Sequence, residues 1–415
     1  MDIRELFRGV AVIIDDEIND RHANIQKILK QIEDKKIPYL SFSEIPDDEI
    51  LQNFKSISFI LLDWKLSVLK TTFDGVSADE ISIPIPQSIE EVEIRDKVEF
   101  LSKLKQIVFV PIFIFTNEDK DSVISVLKDY GLYNDEKPNF IFVENKNKLT
   151  ENSMLFSSIE NWVKSTPSIY VLKEWEKNHR KAKIQLFWDF YERSPRWPIV
   201  LWDTFKKDGV NPSKELGDVI TRNIYSRLTP YSFEEEFLRI DENIDIEEKE
   251  LRDVLEGERF INAKFLNKND IFTGDLFKEE KLEDGQQRIT YWLNIRPQCD
   301  LLRDNNPDLY CIKGRVIDET NDEEIKKRGY KFEQGHFIEK KNHVIVPCID
   351  GGKIIEFLFK DLKIKKWNEL KEKRIGRLLP PYITRIKQLY SAYFQREGIP
   401  RYPEEAFSQF AQSTR

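Results

Sequence analysis

The sequence predicts an α/β protein: a doubly wound parallel sheet of five strands at the N-terminus, then a helical connector, then a strand-rich α+β region. Three observations predict it. Residues 6–165 alternate short, continuous apolar runs with amphipathic stretches; residues 169–231 carry an aromatic-rich helical pattern; residues 259–366 hold β-branched and aromatic runs between turns.

Val10–Ile14 (VAVII) is a β-branched run ending in Asp15-Asp16, as expected of a strand buried on both faces. Ala23, Ile25, Ile28, Leu29 and Ile32 then recur at helical spacing within 19–34. Ile37–Phe42 is a weaker second strand. Phe59–Leu62 is a third, closed by Asp63; Val108–Phe115 a fourth, closed by Thr116; Phe140–Val143 a fifth, followed by Lys146 and Lys148. Helices are expected near 96–106, 120–130 and 151–164. The connection after Asp63 is too long for an ordinary crossover and contains SIPIPQS, so residues 68–94 read as an insertion. Thr166-Pro167-Ser168 marks a boundary, giving domains over 1–165, 166–258 and 259–415. Within the second, residues 234–258 hold twelve acids against Arg239, Lys249 and Arg252. In the third, Ile289–Ile295, Tyr310–Ile317 and His343–Ile349 read as strands. The closing 360–401 stretch reads as helical and basic, with twelve Lys/Arg against four acids.

Composition narrows the functional classes. The 415 residues carry 65 Lys+Arg and 74 Asp+Glu, a formal charge of −9, which argues against a nucleic-acid-coating protein. Three cysteines give no disulfide framework and fit a reducing, cytoplasmic setting. The longest apolar run, 107–115, is far short of the ~20 residues that span a bilayer. Asp2, Arg4 and Glu5 precede any apolar stretch, so neither a signal peptide nor a membrane partner is expected.

In a parallel α/β sheet the residues just past the carboxyl ends of the strands converge on one crevice. Here they are Asp15 and Asp16, Asp63, Thr116 and Lys146 (or Lys148). Clustered carboxylates repel unless a cation neutralises them, and a few carboxylates with water suit Mg²⁺. A carboxylate beside Mg²⁺, a hydroxyl and an ammonium can accept a phosphoryl group. Each piece alone has an ordinary structural reading as a turn or helix cap. Their joint order along four strands does not.

VIIDDE, FILLDWKL, FIFTNED and FVENKNKL together resemble the receiver domain of two-component response regulators, over about residues 6–164. The resemblance implies a flavodoxin-like fold, with Asp63 taking a phosphoryl group from a sensor histidine kinase. It implies Mg²⁺ held by Asp16, Asp63 and the backbone carbonyl of Lys65, with Asp15 acting through water. Thr116 becomes the switch hydroxyl, and Lys146 or Lys148 the phosphate partner. The chain departs from the family pattern in three places: no Lys-Pro follows the fifth strand, the larger Asn117 follows Thr116, and the third-to-fourth connection is overlong.

LLDWKL, PQCDL and GRLLPPYITRIKQLYSAYFQREGIPR further resemble receiver-containing proteins encoded in bacterial anti-phage operons beside a large sensor kinase (Detocs-type systems). Such systems pair an effector response regulator with a non-effector receiver protein. The chain shows no nuclease, nucleoside-phosphorylase-like or helix-turn-helix signature, so the resemblance implies the non-effector, which draws phosphoryl groups away from the effector. No enzymatic activity is expected beyond phosphotransfer and autodephosphorylation.

Two alternatives concern the C-terminal region. Cys299 with Asp300 and His336 or His343 offers a nucleophile, and Cys299, Cys311 and Cys348 with a histidine offer a metal set, but neither has diagnostic spacing. Lys363, Lys365, Lys366 and the aromatics of the basic tail offer a nucleic-acid surface. The competing reading puts Ile383, Ile386, Leu389, Tyr390 and Tyr393 on the core face of an amphipathic helix. The acidic stretch could neutralise the tail within one chain or across a homodimer.

Overall fold

The computed structural model describes residues 6–66, 87–135, 138–150, 154–228, 231–238, 246–283, 286–301, 306–338 and 342–397, with Pro403 and Ala406. The chain forms two compact units, one over 1–197 and 218–241, the other over 198–217 and 242–415.

The first unit is built on β1 (Val10–Ile14), β2 (Tyr39–Phe42), β3 (Ile57–Asp63), β4 (Ile112–Thr116) and β5 (Ile141–Asn145). All pair in parallel, in the order β2-β1-β3-β4-β5. Side chains alternate across the sheet. Ala11, Ile13, Phe59, Leu61, Phe113 and Phe115 face one apolar layer, with Ile25, Ile28 and Ile32 of α1 (Asn24–Asp34). Val12, Ile14, Ile60, Leu62, Ile112 and Ile114 face the other. That layer is covered by α2 (Gln87–Ile107) and α3 (Lys120–Asp129). Cover on both faces explains why β1, β3 and β4 are unbroken apolar runs. β2, the weak run, is an edge strand with no fully buried residue.

The insertion read over 68–94 falls mostly on residues that are not described. Residues 67–86 lie outside the described residues, whereas 87–94 belong to α2. Ile94, Val98, Leu101 and Leu104 form its apolar stripe.

After the short α4 (Lys146–Thr150) and α5 (Leu155–Lys164), Pro167 occupies the first turn of α6 (Pro167–Arg193), where its missing N–H costs nothing. The core of the unit continues past that proline: Ile169 and Tyr170 are buried in the α1 layer. Tyr170 stacks on Phe237 with ring centroids 4.4 Å apart and accepts the Glu234 N–H at 2.8 Å. Two further helices, α7 (Trp197–Lys207) and α8 (Pro212–Leu228), complete the helical stretch.

The second unit holds a seven-stranded sheet in the order β12-β13-β9-β8-β7-β14-β6. Besides residues 198–217 of α7 and α8, it contains α9 (Glu248–Arg259) and β6 (Phe260–Asn262), followed by β7 (Asp275–Glu283), β8 (Gln286–Asn294) and β9 (Asp308–Val316). The hairpin β10 (Phe332–Glu333) and β11 (His336–Phe337) precedes β12 (His343–Ile349), β13 (Lys353–Lys366) and β14 (Arg374–Leu378). Pairing is antiparallel throughout. The sheet is locked at one end by a buried ion network. Asp275, wholly inaccessible, accepts Arg377 Nε at 2.6 Å and the Phe272 N–H at 2.9 Å, with Arg374 3.3 Å away. Gly314 faces Phe357 across the β9–β13 pair, where an added Cβ would lie 2.7 Å from the ring.

The tail expected to be helical is only partly so. Residues 353–366 form the longest strand of the sheet, and 374–378 another. The strand pattern read over 259–366 thus reaches into the tail, and Ile355, Phe357 and Phe359 at its start all face one core. The closing helix α10 (Tyr382–Phe394) does turn Ile383 and Ile386 into that core, with Leu389, Tyr390 and Tyr393 packed against it.

Candidate functional site

Parallel pairing brings the carboxyl ends of β1, β3, β4 and β5 to one edge of the first unit. Ile14 is level with Leu62, Asp63 with Phe115, and Thr116 with Asn145, so the next residue along each strand enters the same crevice. Asp15, Asp63, Thr116 and Lys146 are all buried there, and Asp16 is half-buried.

Lys146 is the centre of the arrangement. It opens α4 directly after β5, and its ammonium lies 2.6 Å from Asp63 Oδ2 and 2.8 Å from Asp15 Oδ2. Burial alone would lower its pKa, but Asp63 and Asp15 carry it above the ordinary lysine value, so it stays charged. Lys148, the other lysine the sequence offered, is two residues on, roughly 200° round the helix, and outside: it is exposed and pairs with Glu144 at 2.9 Å. Spacing on a single turn thus separates a pocket lysine from a surface lysine.

The remaining carboxylate oxygens are held by backbone. Asp15 Oδ1 accepts the Glu17 N–H at 2.9 Å, and Asp63 Oδ1 accepts the Lys65 N–H at 3.2 Å. Burial pushes the Asp63 carboxyl up to about 7, against the pull of Lys146 and with a further push from Asp15. Thr116 Oγ1 accepts the Glu118 N–H at 2.9 Å, which leaves the hydroxyl hydrogen to donate elsewhere.

Asp15, Asp16 and Asp63 each present a carboxylate oxygen within 4.8 Å of the others. Among the described residues this is the sole cluster of three or more metal-ligating side chains, and the cysteines take no part in one. The metal set imagined for Cys299, Cys311 and Cys348 is therefore not formed. Cys311 is a core residue whose thiol burial pushes up to about 12, and Cys299 is exposed. An all-oxygen donor set with excess negative charge fits a hard divalent cation, which would also relieve the ionisation penalty on Asp63.

Sequence reasoning missed Lys97. It sits mid-way along α2, almost fully buried, with its ammonium 5.5 Å from the centre of the Trp64 ring. Burial draws its pKa below the ordinary lysine range, while Glu93, Glu118, Asp63 and Asp16 draw it back up. The available signal was a lysine beside Val98 on the apolar stripe of a helix that packs over the end of β3.

Several cations of the basic tail pair with acids of their own unit. Lys365 and Lys373 both reach Glu279, at 3.0 and 2.7 Å, and Lys366 reaches Asp308 at 2.8 Å. Lys363 and Lys365 lie over Trp292.

No protein-family model matches the chain, and no curated protein is similar enough to count as a relative. The fold and the acidic cluster are compatible with a receiver-like domain. Among the described residues no helix is long and apolar enough to cross a membrane.

Proposed function

We propose that the first unit is a phosphoreceiver in which Asp63 accepts a phosphoryl group from the phosphohistidine of a sensor kinase. The observation that carries this reading is Lys146 bridging Asp15 and Asp63 beside Thr116, all at adjoining ends of parallel strands. In the transfer a carboxylate oxygen of Asp63 forms a bond to phosphorus as the phosphorus–nitrogen bond of the phosphohistidine breaks, and the departing imidazole takes up a proton. Lys146, already at the Asp63 carboxylate, is within reach of the oxygens of a group attached there. Thr116 offers its hydroxyl hydrogen to another of them. The Lys65 N–H orients the nucleophile. Mg²⁺, held by Asp15, Asp16, Asp63 and the Lys65 carbonyl, would neutralise charge on the phosphoryl oxygens.

A buried acid–lysine–acid triad is a poor device for stability alone, because desolvation offsets most of its attraction. Its place at the strand ends favours chemistry over architecture. The likeness to Detocs-type proteins and the lack of an effector signature support the phosphate-drawing role, with an effector response regulator competing for the same kinase.

Incubation with Mg²⁺ and a small phosphodonor such as acetyl phosphate should add one acid-stable, hydroxylamine-labile phosphoryl group. EDTA or Asp63→Asn should abolish it. Labelling that persists in Asp63→Asn would overturn the assignment of the acceptor.

A further inference from the structure

The second unit contains a cavity of about 710 Å³ between the β10–β11 hairpin, β12 and α10. That volume lies within the range of small-molecule sites. Its walls are mixed in a particular way. Phe337, Val344 and Ile386 supply apolar surface, Arg259, Arg385 and His336 supply cationic or hydrogen-bonding groups, and the described lining residues include no Asp or Glu.

Arg259 is the informative member. As the last residue of α9 its side chain is nine-tenths buried. Its Nη1 donates to the Pro347 carbonyl at 3.3 Å, and its Nη2 donates to Glu258 at 3.2 Å, both long for a charged donor. Its Nε is buried with no hydrogen-bond partner, and its guanidinium lies 4.8 Å from the centre of the Tyr382 ring. Glu258, largely exposed, divides its carboxylate between Arg259 and the Tyr382 hydroxyl. With only long bonds from its Nη atoms and a place in the cavity wall, the guanidinium can pair with an anion held in the cavity.

We propose that this cavity binds a small organic anion, with an apolar or aromatic body against Phe337 and Ile386 and a carboxylate, phosphate or sulfonate on Arg259. This gives the C-terminal unit a ligand-sensing task that does not depend on phosphorylation of Asp63.

The test uses the full chain and two fluorescent probes of matched body, the anion 8-anilinonaphthalene-1-sulfonate and the neutral N-phenyl-1-naphthylamine. The anion should saturate a site at one per chain and bind about tenfold more tightly than the neutral probe, the size expected of one charge-assisted hydrogen bond. Arg259→Gln should erase that difference, Arg259→Lys should restore part of it, and Ile386→Trp should block both probes by filling the cavity. Equal binding of the two probes by the wild type, or unchanged anion binding in both Arg259→Gln and Ile386→Trp, would overturn the proposal. Should Arg259→Gln not fold, the wild-type probe comparison and Ile386→Trp still decide it.

Discussion

At the scale of single residues, Asp63 sets burial against ionisation. Its folded pKa of about 7 stands above the usual carboxylate value, so the folded chain holds a proton there that the unfolded chain releases near pH 4. Stability from this group is therefore lost as pH rises through roughly 4 to 7, and the penalty is complete above 7. In EDTA, Asp63→Asn should raise stability at pH 8 by ~2–4 kcal/mol, with the gain fading towards pH 4. Denaturant titrations at several pH values check this; a loss at pH 8 would mean that attraction to Lys146 outweighs burial. Lys97 makes a second residue-scale prediction. Its charge is felt by Glu93 and Glu118 and also by Asp63 and Asp16, so Lys97→Met should tighten Mg²⁺ binding about threefold, read by calorimetry at fixed pH. Which acids and which hydroxyl meet was legible from strand-end positions. Lys97 was not, because its burial follows from helix packing rather than from its neighbours in the chain.

At the scale of elements, the first sheet could be read because burial on both faces forces continuous apolar runs, while β2 read weakly because an edge strand is half exposed. The start of the basic tail, 360–366, belongs to the strand β13 rather than to a helix, because its charged residues occupy the solvent side of a strand that continues from the core. Asp275 shows how much one such element depends on a single group. It ties β7 to Arg374 and Arg377 of β14, and removing it leaves two arginine charges without their buried partner. Asp275→Ala should cost about 3–5 kcal/mol in chemical denaturation, whereas an exposed pair such as Lys207–Asp203 should cost less than about 1 kcal/mol.

For the whole molecule, the formal charge of −9 is an average over unlike parts. The pocket of three carboxylates is held against one bridging lysine, while Lys365, Lys366, Arg374 and Arg377 of β13 and β14 pair with Glu279, Asp308 and Asp275. At pH 8, millimolar Mg²⁺ should raise the thermal midpoint of the wild type, with little effect on Asp16→Asn, because only the folded pocket gathers the donors. In a mixture of kinase and effector regulator, the wild-type chain should lower effector phosphorylation and Asp63→Asn should not. The sequence by itself determined the parallel α/β order and the residue types at the four strand ends, since both follow from local apolar periodicity and from where each run stops. Tertiary structure alone decided that Lys146 rather than Lys148 enters the crevice, that Lys97 is buried beside it, and that Arg259 meets α10 around a cavity. Those outcomes depend on which turn of a helix faces a neighbour distant in the chain, and local patterning does not encode that.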